Sequence, residues 1–161
     1  MPAAKVAVIM GSDSDMPVMN EASSILKEFG VSHIVRILSA HRSPDDAALF
    51  AKGARKNGLK VIIAGAGGAA HLAGVIASHT TLPVIGVPME TKELKGIDSL
   101  FSTVQMPSGV PVATVTIGRT GAKNAAYLAL EILGVNDKRL AGALALFKKK
   151  LVSDIRKKNQ R

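Results

Sequence analysis

A chain of 161 residues, 47% of them apolar and none of them cysteine, fits one domain with a full core and excludes disulfides, thiolate nucleophiles and Cys-ligated metals. The formal charge of +9 is concentrated at the C-terminus: residues 137–161 carry nine Lys/Arg against two Asp, and aromatics amount to only 3%, so a base-stacking surface for nucleic acid is not expected. No apolar run approaches the ~20 residues of a membrane helix, and the opening MPAAKVAVIMGS is too short in its apolar part for a signal peptide, which makes a cytoplasmic protein the expectation.

Taken in chain order, short β-branched runs alternate with helix-period segments. Strands are expected at Val6–Met10, His33–Leu38, Lys60–Ala64, Val84–Val87 and Val112–Ile117. Most are continuously apolar, as in a parallel sheet buried on both faces. The first helix is expected to be capped by Asp15, to carry Pro17 in its opening turn and to end at Gly30. The second is expected to be capped by Ser43, with Pro44 at its first position and Asp45 and Asp46 at its positive dipole end, and to stop at Asn57-Gly58. Further helices are expected over Ala70–His79, Asp98–Gln105 and Ala122–Leu133. A last one, about Lys138–Leu151, has a narrow stripe of Leu140, Leu144, Phe147 and Leu151 that suits either its own domain or a neighbouring subunit.

This alternation predicts a single doubly wound α/β domain over residues 1–161, with a flavodoxin-like, five-stranded parallel sheet in the order 2-1-3-4-5, helices on both faces and an extra C-terminal helix. In such a sheet the loops after strands one, two and three open onto one edge, where ligands bind.

The first of these loops, Gly11-Ser12-Asp13-Ser14-Asp15, offers hydroxyls and backbone N–H groups before a helix, which suits a phosphate. Asp15 or Asp13 can accept hydrogen bonds from ribose, although Ser and Asp here also serve simply as caps. The second loop, Ser39-Ala40-His41-Arg42-Ser43, puts a guanidinium fork for an oxyanion beside an imidazole whose charge changes near neutral pH. The third, Gly65-Ala66-Gly67-Gly68-Ala69-Ala70-His71, allows close backbone approach to a ligand. Gly65-x-Gly67-x-x-Ala70 also matches a dinucleotide fingerprint, with Glu90 about 20 residues on, but that reading leaves His71 unexplained. A non-catalytic nucleotide-binding protein is the remaining alternative. The chain lacks a Walker lysine motif, a receiver-type aspartate after strand three, and zinc-ligand spacing among His33, His41, His71 and His79, so no metal is expected.

GSDSD, SAHRSPD, AGAGGAAHLAG, PVIGVP, DSLFSTVQMPSGVPVATV and GAKNAA occur in the order and spacing of the PurE family, the 5-(carboxyamino)imidazole ribonucleotide mutases of purine synthesis. The resemblance spans roughly residues 5–134. His41-Arg42 and GGAAHL resemble the bacterial mutase class; the related carboxylases that use free carbon dioxide typically carry lysine after that histidine. The chain departs from the usual family pattern at Ala73 and Val75, where proline and methionine are typical. The resemblance implies a cofactor-independent transfer of a carboxylate from the exocyclic nitrogen to ring carbon 4 of an aminoimidazole ribonucleotide. It implies His41 as the acid–base residue, and Ser12, Ser14, Ser39 and Arg42 around the phosphate. Asp15 would hold the ribose, and Gly67, Gly68 and His71 would line a carbon dioxide pocket. It also implies a homo-octamer, with the C-terminal helix reaching between subunits, and neither a nucleic-acid nor a membrane partner.

Overall fold

Strand β1 (Val6–Met10) is fully buried along its length: every one of its side chains is apolar, and it lies inside the sheet with both its edges paired. The computed structural model describes residues 4–159. It adds α1 (Met16–Glu28), β2 (His33–Ile37), α2 (Pro44–Ala54), β3 (Val61–Ala66), α3 (Leu72–His79) and β4 (Val84–Pro88). Beyond these come α4 (Ile97–Val104), β5 (Ala113–Thr114), α5 (Gly118–Gly134) and α6 (Lys138–Lys158). The five strands are parallel and ordered β2-β1-β3-β4-β5, as the alternation predicts.

Alternate residues of each strand feed two cores. Val6, Val8 and Met10 of β1 pack with Met19, Leu26, Ala126 and Leu130 of α1 and α5; Ala7 and Ile9 face Ala47, Ala51, Leu72 and Ile76 of α2 and α3. The register fixes the functional edge. Met10 pairs with Ile37 on one side and with Gly65 on the other, so three strands end level. The ladders run on briefly, with Leu38 N–H donating to the Met10 carbonyl at 2.9 Å and Gly11 N–H to the Gly65 carbonyl at 3.2 Å.

Several local expectations differ from what the chain does. Asp15 stands at the N-cap of α1 but makes no side-chain cap. A 3-10 turn over Asp13–Asp15 intervenes, and its cap is Ser12, which accepts from Ser14 N–H at 3.4 Å. β5 is two residues long rather than six, since after Pro111 only Ala113 and Thr114 pair with β4 before the chain turns to α5. α5 starts at Gly118, four residues before the expected Ala122, because GRTG forms its first turn: a β-carbon on Gly121 would stand 1.7 Å from the Thr116 carbonyl oxygen, so only glycine passes. α6 continues past Leu151 to Lys158, with Arg156, Lys157 and Lys158 complementing its negative dipole end.

The start of α6 packs on its own chain. Leu140 and Leu144 are buried, and Phe147 stacks on Tyr127 of α5 at a centroid distance of 4.6 Å. Asp137 caps the helix by accepting from Arg139 and Leu140 N–H, each at 3.1 Å. The distal half of α6 stands clear, and Leu151, Val152 and Ile155 are about half exposed. Residues 160 and 161 of the basic tail lie outside the described residues. No helix among the described residues is long and apolar enough to cross a membrane. Ala73, at a family departure, is buried in the first turn of α3.

Gly121→Ala forces a methyl group into the Thr116 backbone. It is expected to cost about 3 kcal/mol of stability or more, at the upper end for overpacking, and urea unfolding of the variant measures it.

Candidate active site

The loops that follow β1, β2 and β3 enclose a cleft of about 360 Å³. Ser12, Ser14 and Asp15 enter it from the first loop, Ser39, His41 and Arg42 from the second, Gly67 and His71 from the third. Ala40, Ala66, Ala70 and Leu72, which are not among the expected site residues, supply apolar wall. Gly68 alone of the expected site residues does not line the cleft. It sits behind the wall, where its N–H donates to Ser99 Oγ at 2.9 Å and its carbonyl accepts from Ser102 Oγ at 3.3 Å.

Each loop owes its shape to short-range polar bonds. Ser12 Oγ donates to Asp13 Oδ1 at 3.1 Å and Asp13 Oδ1 also accepts from Ser14 N–H at 3.0 Å, which tightens the turn; the Asp15 carboxyl lines the cleft and accepts from Ser14 Oγ at 3.5 Å. In the second loop, Ser43 stands where a helix cap is expected, yet its hydroxyl instead closes the turn on Ser39, donating to the Ser39 carbonyl and accepting from the Ser39 N–H, each at 3.2 Å. Ser39 Oγ accepts from the Arg42 backbone N–H at 3.1 Å. The Arg42 guanidinium then crosses between loops and donates to the Gly11 carbonyl at 2.8 Å. Only part of its five-donor fork is used, so N–H groups remain for an anion.

A contact between the second and third loops joins two histidines. His41 Nε2 and His71 Nδ1 are 2.8 Å apart, with ring planes at 89°. One hydrogen lies between two nitrogens at that distance, so one ring donates and the other accepts. The two rings cannot both be doubly protonated while the contact holds. Which ring donates is set by the tautomers, and the shared hydrogen suits the pair to passing or holding a single proton.

Asp15 is the polarised carboxylate of the site. Burial raises its carboxyl above the ordinary 3.8; the Ser14 hydroxyl opposes the shift, and the Asp13 charge adds to it. Among the described residues no group of three or more His, Cys, Asp or Glu is placed to hold a metal ion.

The dinucleotide alternative does not survive the geometry. Gly65 lies within β3, with Met19 and Met89 closing over the position of a β-carbon. The N–H of Gly68 is spent on Ser99, and α3 opens only at Leu72 with His71 in the cap position. Ser99 and Ser102, which the third loop depends on, lay inside the DSLFS motif. Two serines at i and i+3, on one face of the helix, were the available signal.

The family model described as AIR carboxylase matches residues 5–154. The chain belongs to the AIR carboxylase family. Within it, the N5-carboxyaminoimidazole ribonucleotide mutase of Saccharolobus solfataricus is 58% identical over 151 residues, covering 94% of each chain. The enzyme of the same name from Thermotoga maritima is 54% identical over 157 residues, covering 98% of this chain and 91% of its own. The crystal structure of Treponema denticola PurE superposes with a TM-score of 0.89 at 29% identity, covering 98% of this chain and 97% of that one.

Ionising Asp15 disfavours the folded state, since its folded pKa lies above the unfolded one. The penalty is absent below about 3.8, grows as pH rises through the raised folded value, and is constant above it. Asp15→Asn is therefore expected to melt higher than wild type at neutral pH, with the gap closing in acid; melting curves across pH check it.

Proposed function

We infer that this family member is an N5-carboxyaminoimidazole ribonucleotide mutase of purine biosynthesis, and that the cleft at the ends of β1, β2 and β3 is where it works. The observation that carries the placement is the convergence of an imidazole, a guanidinium and three serine hydroxyls on one cleft with an apolar wall.

In this reading the ribonucleotide phosphate lies between the first two loops, held by Ser12, Ser14, Ser39 and the unused N–H groups of Arg42. The Asp15 carboxylate takes the ribose hydroxyls. The exocyclic carboxylate enters the apolar pocket bounded by Gly67, Ala70 and His71, with Gly68 behind it. There the nitrogen–carbon bond breaks, the electron pair stays on nitrogen and His41 delivers a proton to that nitrogen. Carbon dioxide is retained in the pocket, away from water. Carbon 4 of the electron-rich ring attacks it, and the proton displaced from carbon 4 returns to His41. One proton is given and one recovered, so the imidazole ends the cycle as it began. His71, bonded to His41, fixes which nitrogen of that ring faces the substrate.

This chemistry uses only the chain's own groups. The reading extends to a homo-octamer, for which the half-exposed Phe101 of α4 and Leu151 and Ile155 of α6 offer apolar contact surface. Carboxylation of the unsubstituted aminoimidazole ribonucleotide by free carbon dioxide is the second reading, favoured by the description of the family model alone. Assaying purified protein with each carboxyl source, and following the ring-carboxylated product, separates the two.

His41→Asn is expected to fold normally and lose ~10²–10⁴-fold in turnover, the usual weight of acid–base catalysis; near-wild-type turnover would remove His41 from the role. Arg42→Ala should raise KM for the phosphorylated substrate more than it lowers kcat, and steady-state kinetics reads the split.

A further inference from the structure

The third loop carries His71 into the cleft, yet it has little backbone bonding of its own. Ala70 N–H closes a tight turn on the Gly67 carbonyl at 3.2 Å, and Ala70 itself is held at φ +34°, a conformation that side-chain-bearing residues rarely adopt. Gly68, in the middle of the turn at φ +66°, has both of its backbone polar groups taken by α4: the N–H by Ser99 Oγ and the carbonyl by Ser102 Oγ. A strained turn persists only when its surroundings over-determine it.

The α4 end of this contact is itself stiff. Ser99 is fully buried, and its carbonyl accepts from Thr103 Oγ1 at 2.7 Å. Thr103 is buried over Gly86 of β4, where a β-carbon would stand 2.4 Å from its methyl group. At the start of the helix, Thr91 Oγ1 donates to Asp98 Oδ1 at 2.8 Å and accepts from Gly96 N–H at 3.1 Å. A continuous path therefore runs from β4 through α4 and Gly68 to His71, and across 2.8 Å to His41.

We propose that Ser99 and Ser102 are positioning residues for the reaction: their grip on Gly68 sets the height of the 67–71 turn and thereby the His71–His41 hydrogen bond. The pair touches no substrate. Its effect is on the orientation of the proton-carrying ring, while the groups assigned to the phosphate lie on the other two loops. This inference rests on the mutase reading for its kinetic consequence and on geometry alone for its structural one.

The test compares Ser99→Ala, Ser102→Ala and Ser102→Thr with Leu130→Val, a core truncation in α5 remote from the cleft. Ser99→Ala should lower kcat ~10- to 100-fold, as small misplacements of reacting groups do, with KM for the ribonucleotide changed by less than about twofold. Ser102→Ala, at a half-buried position that endangers folding less, should lower kcat in the same direction, and Ser102→Thr, which keeps the hydroxyl, should restore it. Nitrogen-15 spectra of the imidazoles provide the second readout: the wild type should show one hydrogen-bonded pair of ring nitrogens, and Ser99→Ala should lose it. Wild-type kcat in both alanine variants, or kcat losses no larger than in a Leu130→Val variant of equal melting temperature, would overturn the proposal. If the wild type itself converts no substrate, the mutase reading fails, and the imidazole spectra still decide whether α4 holds the histidine contact.

Discussion

Pairing of β1 with β2 and β3 at zero offset is the constraint on which the rest of the molecule depends. Met10, Ile37 and Gly65 sit side by side at the end of their ladders. Three chains therefore leave the sheet at the same height and within two strand spacings, about 10 Å, of one another. A shift of one residue in either ladder would exchange the two cores, since alternate side chains of β1 belong to opposite faces. The apolar packing of α1 and α5 on one side and of α2 and α3 on the other thus fixes the level at which His41, Arg42, Ser12 and His71 emerge. Burial of aliphatic side chains, with no polar chemistry of its own, sets the geometry of a polar site.

The cleft departs from the choices that would stabilise the chain best. Ser43 gives up a helix cap to close the loop before it. Asp15 stands half-buried beside Asp13 with its carboxyl raised, where a neutral side chain would be more comfortable. Ala70 holds a left-handed backbone angle immediately before His71. These costs are local and small against the core, and they cluster on the three loops that line the cleft. Arg42 partly offsets them by tying the second loop to the first through the Gly11 carbonyl.

Much of this was legible in the residues. The strand order, the helices and the meeting of three loops followed from β-branched runs, from Asp15-Met16-Pro17 and Ser43-Pro44 openings and from the Gly30 and Gly58 stops, both of which take positive φ. Less legible were features that depend on contacts distant in sequence. β5 is short because the chain leaves β4 for α5 after pairing only Ala113 and Thr114, and α5 begins early because Gly121 has to pass Thr116. Gly68 reads as a ligand-facing glycine until Ser99 and Ser102, over thirty positions away, claim its backbone. Local pattern reports what a segment can adopt. Which groups remain free for chemistry is decided by neighbours that the pattern does not contain.

The two flanks of the sheet differ in how they meet water. β5 presents only Ala113 and Thr114, and Pro111 just upstream has no N–H to offer. β2 is longer, and its outer margin carries His33 and an exposed Arg36 whose guanidinium folds back onto the Val35 carbonyl at 3.1 Å. A stray extended peptide thus finds two hydrogen-bonding rungs on one margin, and on the other a fixed positive charge beside a carbonyl already engaged. Each border of the central parallel sheet thus carries a feature that disfavours addition of a further strand.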